Sequence, residues 1–351
     1  MANISDYFSS GGGGGGITPT ISFLGSQSWT PAYDMEAYVY VIGAGGSGGA
    51  GNNQHDFLSG GGAGGCAISK LTLSSGTAYT VTIGAGGAQV SATSADTYTV
   101  GNDGGATSFS GSGISTMTGN GGSGGVRGEY ESMGTLAGAS GGTATGGTIA
   151  NFTGGQGGEC SGIVAGSPNS VRSGGGAVGL WATGNNAAVG LGNSDINRFL
   201  AGGNPNYDLG TFAGDEILNN NSYYGGNSAK AIPTISPFGM NVSAVEHYGM
   251  LPRGNYYNDG TSQFGIPQLR LTGAPQNYQG YYNNTTGLAG STAPAFHGGY
   301  GMCGSVACYG GNASLGGGGG AGGTRSGSTA NGYGGCGGTG AVIIFPLSIG
   351  S

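Results

Sequence analysis

Hydrophobic and polar residues alternate cleanly at one place in this chain and crowd together at two others, and these three stretches set the first reading. In Ala78-Tyr-Thr-Val-Thr-Ile83, Tyr79, Val81 and Ile83 share one face and Thr80 and Thr82 the other, which predicts a half-buried antiparallel strand. Glu36-Ala-Tyr-Val-Tyr-Val-Ile42 is apolar on both faces and rich in β-branched and aromatic residues, so it predicts a strand covered on both sides. Gly340-Ala-Val-Ile-Ile-Phe-Pro346 reads the same way at the far end of the chain. Ile21 to Leu24, Ser28 to Pro31, Cys66 to Leu73 and the weaker Thr107 to Phe109 add strands, with a turn at Ser74-Ser-Gly76. A lone terminal strand must pair with something, and the N-terminal strands are the good candidates. The two ends of the chain are therefore expected to meet, with the middle looped out.

Composition changes the picture of that middle. Glycine supplies 88 of 351 residues, while charged residues are 7% and hydrophobic residues 36%. Disorder needs few apolar residues and much charge, so this balance predicts a folded chain. The glycines cluster in short runs and keep no strict third-residue period along the chain, which excludes collagen. Ordering so many glycines costs much backbone entropy, and few large side chains offset it by burial. Their amides and carbonyls must then bond to one another. Three-residue-per-turn helices of the polyproline type can do this laterally, because nothing projects at a glycine position. The expected fold is mainly β, with little or no α-helix: a small antiparallel β-sandwich-like domain, a polyglycine-II-like bundle and long surface loops. The expected divisions are 1–16 as a docking peptide and glycine linker, 17–115 plus 334–351 as the β domain, 116–192 and 298–333 as the bundle, and 193–297 as variable loops. For residues 1–10 a frayed terminus is the alternative to a docking peptide.

Several motifs invite a chemical reading. Gly43, Gly45 and Gly48 fit G-x-G-x-x-G after a strand, and Gly45-Gly-Ser47-Gly-Gly49 fits G-x-S-x-G. Both need a helix next. The chain instead continues through Asn52 to Leu58 and another glycine run, which cannot hold a helix at roughly 1 kcal/mol lost per glycine. His55, His247 and His297 are far apart, and only Glu246 and His247 set an acid beside a base. Asp195, Asp208, Asp215, Glu216, Glu246 and Asp259 leave a two-carboxylate glycan depolymerase open as the enzyme alternative. Cys66, Cys160, Cys303, Cys308 and Cys336 are odd in number and scattered, which argues against a disulfide framework. His297, Cys303, Cys308 and Cys336 could hold zinc; small buried filler is the competing account. The reading assigns no catalytic residue, no metal and no cofactor.

The net charge of −7 repels phosphate backbones, so nucleic acid is excluded as a partner. No run approaches the roughly 18 apolar residues of a membrane span, and the N-terminus lacks a signal-peptide pattern. Residues 193–297 differ from their surroundings, being poor in glycine and rich in Tyr and Asn, the residues of binding loops. Tyrosine presents a large contact area and a hydroxyl with only two rotatable bonds. The candidate receptor-contacting residues are Trp181, Phe199, Tyr207, Tyr223, Tyr224, Tyr256, Tyr257, Tyr281 and Tyr282. The competing account is that these aromatics fill a core that glycine cannot.

Trp29 to Gly51, Gly60 to Cys66, Ala78-Tyr-Thr-Val-Thr-Ile-Gly-Ala-Gly-Gly87 and Gly334 to Pro346 together resemble the glycine-rich domain of bacteriophage tail-fibre proteins. A looser likeness, carried by glycine clusters with intervening loops, is to the fibre-tip adhesins of T-even-type phages. The resemblance implies a virion protein made in the host cytoplasm, residues 1–16 joining it to other tail proteins, and loops that bind a host cell-surface receptor, either an outer-membrane protein or a surface glycan. It implies a homotrimer by analogy with fibres and a monomer by analogy with tips. A structural virion connector, with the tyrosines at subunit interfaces, is the second reading.

Overall fold

The computed structural model describes residues 20–52, 57–94, 97–128, 136–161, 171–180, 182–184, 186–187, 190–191, 198–200, 263–266, 278–283, 287–289, 296, 298–299, 301–304, 308–313, 315–324 and 331–349. Among these, every regular element is a strand. Ten strands build a sandwich: β1 (Ile21–Phe23), β2 (Gln27–Trp29), β3 (Met35–Ile42), β4 (Cys66–Leu73), β5 (Tyr79–Thr82), β6 (Thr107–Gly111), β7 (Ile114–Gly119), β8 (Ala144–Thr145), β9 (Ala150–Phe152) and β10 (Ala341–Ile349). One sheet has the order β1-β10-β3-β4-β9 and the other β8-β7-β6-β5-β2. The C-terminal strand lies between β1 and β3, antiparallel to both. Its Pro346 falls beyond the reach of β1, which pairs only with Val342 to Ile344, and the register against β3 shifts just after it. Proline cannot donate to a ladder, so it sits where one side of the strand is uncovered.

The core between the sheets follows from the alternation. Ala37, Val39 and Val41 of β3 meet Tyr79, Val81, Phe109 and Met117 of the other sheet. Tyr79 and Phe109 stack at 5.5 Å, and Trp29 and Phe23 extend the aromatic row outward. The opposite face of β3 carries Tyr40 and Ile42, which pack with Cys66, Ile68, Val178, Leu180 and Phe296. β3 is thus covered on both faces, as its all-apolar sequence requires. Burial, then the neighbouring Cys66 thiol and Tyr38, push the Tyr40 phenol from its ordinary 10 up to about 12. The folded protein therefore keeps this proton over a pH range in which the unfolded chain has released it. The contribution is fully present below pH 10 and is lost as pH rises towards 12. Thermal melting across that window should show a steeper fall for the wild type than for Tyr40→Phe; parallel curves would refute the assignment.

Beyond the sandwich the same chains continue as glycine-rich extended helices. Residues 43–51 continue β3 and form the hub. The N–H groups of Gly43, Gly46 and Gly49 donate to Gly65, Gly62 and Ser59 (2.8, 2.9 and 3.2 Å). Those of Ala44 and Ser47 donate to Gly105 and Asn102, and those of Gly45 and Gly48 to Gly338 and Gly335. Each step of three residues along the hub is a step of three along the partner. Three residues thus point at three different neighbours, the geometry of a threefold polyglycine helix. Hub carbonyls accept in turn from three further chains: Ala44 and Ser47 from Gly122 and Gly125, Gly46 and Gly49 from Gly319 and Gly322, and Gly45 from Gly87. Six neighbours around one helix make a hexagonal lattice.

Strand registers run unbroken into this lattice. The pair Ile42 and Cys66 of β3 and β4 is followed by Gly43 and Gly65, and the pair Thr107 and Gly119 of β6 and β7 by Gly104 and Gly122. The hub also bonds directly to residues 102–105, the continuation of β6 from the opposite sheet. In the sandwich, side chains hold facing sheets about 10 Å apart; where the side chains vanish, the two sheets close onto each other. Buried serine hydroxyls patch the lattice: Ser47 Oγ accepts from Asn102 N–H, and Ser173 Oγ accepts from Gly60 N–H and donates to Gly158.

Two sequence expectations need correction here. The bundle is not confined to 116–192 and 298–333, because the runs at 43–51, 59–65, 84–90, 101–105 and 334–340 belong to it as well. The third-residue period, absent along the whole chain, is kept within each run. Ala44, Ser47 and Ala50 mark one phase of the hub, Asn120, Ser123 and Val126 that of another helix, and Thr153, Gln156 and Glu159 that of a third.

Candidate functional site

The molecule has two unlike ends. At the sandwich end, Met35 pairs with Leu73 and Ile349, and the turn at Ser74 to Thr77 carries the chain from β4 of one sheet to β5 of the other. β1 runs from this side towards the lattice, so residue 20 and the end of β10 lie on the sandwich side. At the other end the described helices run into short strands, which are followed in the chain by segments that include 53–56, 95–96, 129–135, 162–170, 305–307 and 325–330. These segments are outside the described residues, but the short strands that lead into them are not.

One five-stranded sheet at this end has Arg198–Leu200, Gly301–Gly304, Gly322–Thr324, Ala50–Asn52 and Tyr98–Thr99 side by side. Beside it stands a six-stranded sheet of Gln263–Ile266, Tyr278–Asn283, Gly287–Ala289, Cys308–Tyr309, Gly332–Tyr333 and Ser91–Ala92. The two adjoin where the Thr99 hydroxyl donates to the Ser91 carbonyl at 2.7 Å. Aromatic rings concentrate here. Tyr309 and Tyr333 stack face to face, with centroids 4.3 Å apart and planes 1° from parallel. Asn331 Nδ2 donates to the Tyr333 hydroxyl at 3.0 Å, and burial together with Tyr333 pushes the Tyr309 phenol up. Tyr98 is 45% exposed, with the Arg127 guanidinium 3.5 Å from its ring centroid. Such a pair contributes roughly 0.5–1 kcal/mol at an exposed site.

Of the residues expected from the sequence, Trp181, Tyr207, Tyr223, Tyr224, Tyr256 and Tyr257 lie outside the described residues. Phe199 pairs through its main chain with Met302, while Tyr281 and Tyr282 pair with Ala289 and Leu288. The structure thus brings Tyr281 and Tyr282 into the sheet that carries Tyr309 and Tyr333, and places Phe199 in the adjoining one. Sequence reasoning missed Tyr98, Tyr309 and Tyr333. A signal existed for the last two: each immediately precedes a Gly-Gly pair and marks where a strand gives way to the lattice.

The motifs resolve differently. The Gly43, Gly45 and Gly48 amides that a pyrophosphate would need all donate to lattice carbonyls. Ser47, the centre of the G-x-S-x-G match, is fully buried with its hydroxyl on Asn102. The candidate carboxylates and all three histidines lie outside the described residues. Among the described residues no three His, Cys, Asp or Glu gather as a metal site; Cys66 and Cys160 are buried and in no disulfide, and the Cys160 thiol donates to the Leu58 carbonyl.

A β-sandwich whose strands run on into a hydrogen-bonded glycine lattice defines a mainly β, glycine-rich scaffold with aromatic strands at its far end. The chain belongs to the glycine-rich domain family, whose model matches residues 20–241. The match stops short of the glycine runs at 310–340 and of β10, although these complete the same lattice and sheet. A comparison with curated proteins finds no match.

Proposed function

We propose that this protein is a bacteriophage tail-fibre or fibre-tip receptor-binding protein that attaches a virion to a host cell-surface receptor. The observation that carries the reading is the polarity of the molecule. Residue 20 lies on the sandwich side, from which residues 1–16 could join other tail proteins, while the described tyrosine-bearing strands, Tyr98–Thr99, Tyr278–Asn283, Cys308–Tyr309 and Gly332–Tyr333, lie in the sheets at the opposite end. A lattice held by backbone bonds tolerates change in the segments beyond it, which is what a receptor-reading surface needs. Several such surfaces on one particle would multiply weak contacts into firm attachment.

The test is binding of the purified, fluorescently labelled protein to a panel of intact candidate host bacteria, with competition against phage adsorption. Selective binding to some strains, reduced at least tenfold when Tyr223, Tyr224, Tyr256, Tyr257, Tyr281 and Tyr282 are together changed to serine in a protein that still folds, is the expected result. Absence of selective binding to any strain would overturn the proposal and favour a structural connector.

A further inference from the structure

Eight of the ten sandwich strands continue into lattice helices, and two do not. β3, β5, β7 and β9 run on into 43–51, 84–90, 120–126 and 153–159, while 59–65, 101–105, 137–143 and 334–340 lead into β4, β6, β8 and β10. β1 and β2 are instead joined to each other by Leu24, Gly25 and Ser26, so their two columns end where the lattice begins. Since β1 lies beside β10 and β2 beside β5, the helices that border these columns are 334–340 and 84–90. The two bond to each other, from Gly337 N–H to Gly87 and from Gly340 N–H to Gly84. Each also carries an unused row. In 84–90, Gly87 N–H donates to the hub, and the N–H groups of Ala85, Gly86, Ala88 and Gln89 have no partner among the described residues. In 334–340, the carbonyls of Gly335 and Gly338 accept from the hub and those of Cys336 and Thr339 from Ala313 and Gly316, whereas those of Gly334 and Gly337 accept from no described residue. Elsewhere on the lattice rim side chains cap such amides: Asp103 accepts from Gly124 N–H, Asn186 from Gln156 N–H and Asn312 from Cys336 N–H. Ala85, Ala88 and Gln89 are exposed, Gly86 and Gly337 are partly exposed, and none of these is charged.

We infer that this edge seats a polyglycine helix from a second copy of the chain, namely its Gly11–Gly16 run. One wall offers amide donors and the other carbonyl acceptors, and a threefold glycine helix presents both kinds of group to its neighbours. The lengths agree. Each phase of the donor wall holds two positions, Ala85 and Ala88 or Gly86 and Gln89, and the acceptor wall holds Gly334 and Gly337, while six glycines make two turns, about 19 Å. Lattice positions leave no space for a side chain, a Cβ on Gly337 falling on the Gly45 carbonyl, and Gly11–Gly16 is the longest glycine run in the sequence. The run of the same chain is tethered too closely to serve. β1 runs towards the lattice, so the residues before Ile21 lead away from the edge, whose head lies about 13 Å beyond Ile21 along the strand. Gly16 is five residues before Ile21, and a reversal of the chain takes about four. One copy therefore delivers its run to the lattice of a neighbour, which leaves residues 1–10 for other tail proteins. This inference stands independently of the receptor-binding reading.

The experiment measures the mass of the full-length protein in solution by light scattering, together with its amide exchange. The expected result is an oligomer in which one outward phase of 84–90, either Ala85 and Ala88 or Gly86 and Gln89, exchanges slowly. Two variants separate the run from its seat. Changing Gly12, Gly13, Gly14 and Gly15 to serine adds side chains that the lattice cannot hold. Ala88→Pro with Gln89→Pro removes one donor of each phase while keeping the backbone angles that a polyproline-type helix already has. Each variant alone should fall to the mass of one chain, and the serine variant should exchange at least tenfold faster at the protected phase. Mixed together they should form a one-to-one complex, because one keeps the seat and the other keeps the run, a recovery that no folding defect can imitate. A monomeric wild type with fast exchange at both phases would overturn the proposal. So would slow exchange in a monomer, which would assign the edge to the chain's own residues, and so would an oligomer that survives the serine changes, which would place the contact elsewhere.

Discussion

Replacing Gly46 with alanine is expected to abolish folding or to destabilise the protein by at least about 3 kcal/mol, although the change adds a single methyl group. A Cβ on Gly46 would fall on the carbonyl of Ser123. That carbonyl cannot turn away, because it accepts from Gly62 N–H at 2.9 Å, and Gly46 itself donates to Gly62 and accepts from Gly319 at 2.9 Å each. Making room means parting helices on several sides at once and stripping buried amides of their partners, each worth roughly 1–3 kcal/mol when left unsatisfied. The neighbouring phase behaves differently. Ser47→Ala keeps the Cβ already accommodated and removes only the hydroxyl that Asn102 N–H uses, so a loss of about 1–2 kcal/mol is expected. Gly25→Ala, with no heavy atom within 4 Å of the added carbon, should melt like the wild type. Urea denaturation of the three variants checks this. Similar stabilities for Gly46→Ala and Gly25→Ala would mean that the lattice is not close-packed.

The second large effect lies in the sandwich. Phe109→Ala should cost about 3–5 kcal/mol, the range for truncating a fully buried phenylalanine. Phe109 is 0% exposed and stacks on Tyr79, which in turn holds the turn below it by accepting from Ser74 N–H. The damage should also spread. β6 delivers residues 101–105 to the hub, and their register comes from the pairing of β6 with β5 and β7. Amide exchange is therefore expected to accelerate at Ala44 and Ser47, which donate to Gly105 and Asn102, far along the chain from the substitution. Exchange confined to β5, β6 and β7 would show that the lattice holds its register without the sandwich.

The sandwich was legible because side chains announce it. The alternation at Tyr79, Val81 and Ile83, the doubly apolar β3 and the stranded β10 each state which face is covered, and a strand at the chain end must find an edge. The existence of a laterally bonded glycine bundle was legible too, since glycine runs with few large side chains have no other use for their amides. What was hidden is partnership. A glycine helix looks the same to every neighbour and after every slip of three residues, so nothing in Gly43 to Gly51 says that it lies at the centre or that it bonds to 59–65, 102–105 and 335–338.

The far-end surface was partly hidden for the same reason. Tyr281 and Tyr282 drew notice by composition, whereas Tyr309 and Tyr333 sit singly beside glycine pairs and Tyr98 singly between two threonines, and they become a surface only when the lattice aligns the strands that bear them. By itself the sequence determined the strands, their buried faces, the meeting of the two chain ends and the need of the glycine runs to bond to one another. Only the tertiary structure decided which helices are neighbours and which tyrosines share a row. Backbone hydrogen bonds between glycines carry no identity of their own, and the register that fixes them is inherited from the side-chain packing of the sandwich from which the helices grow.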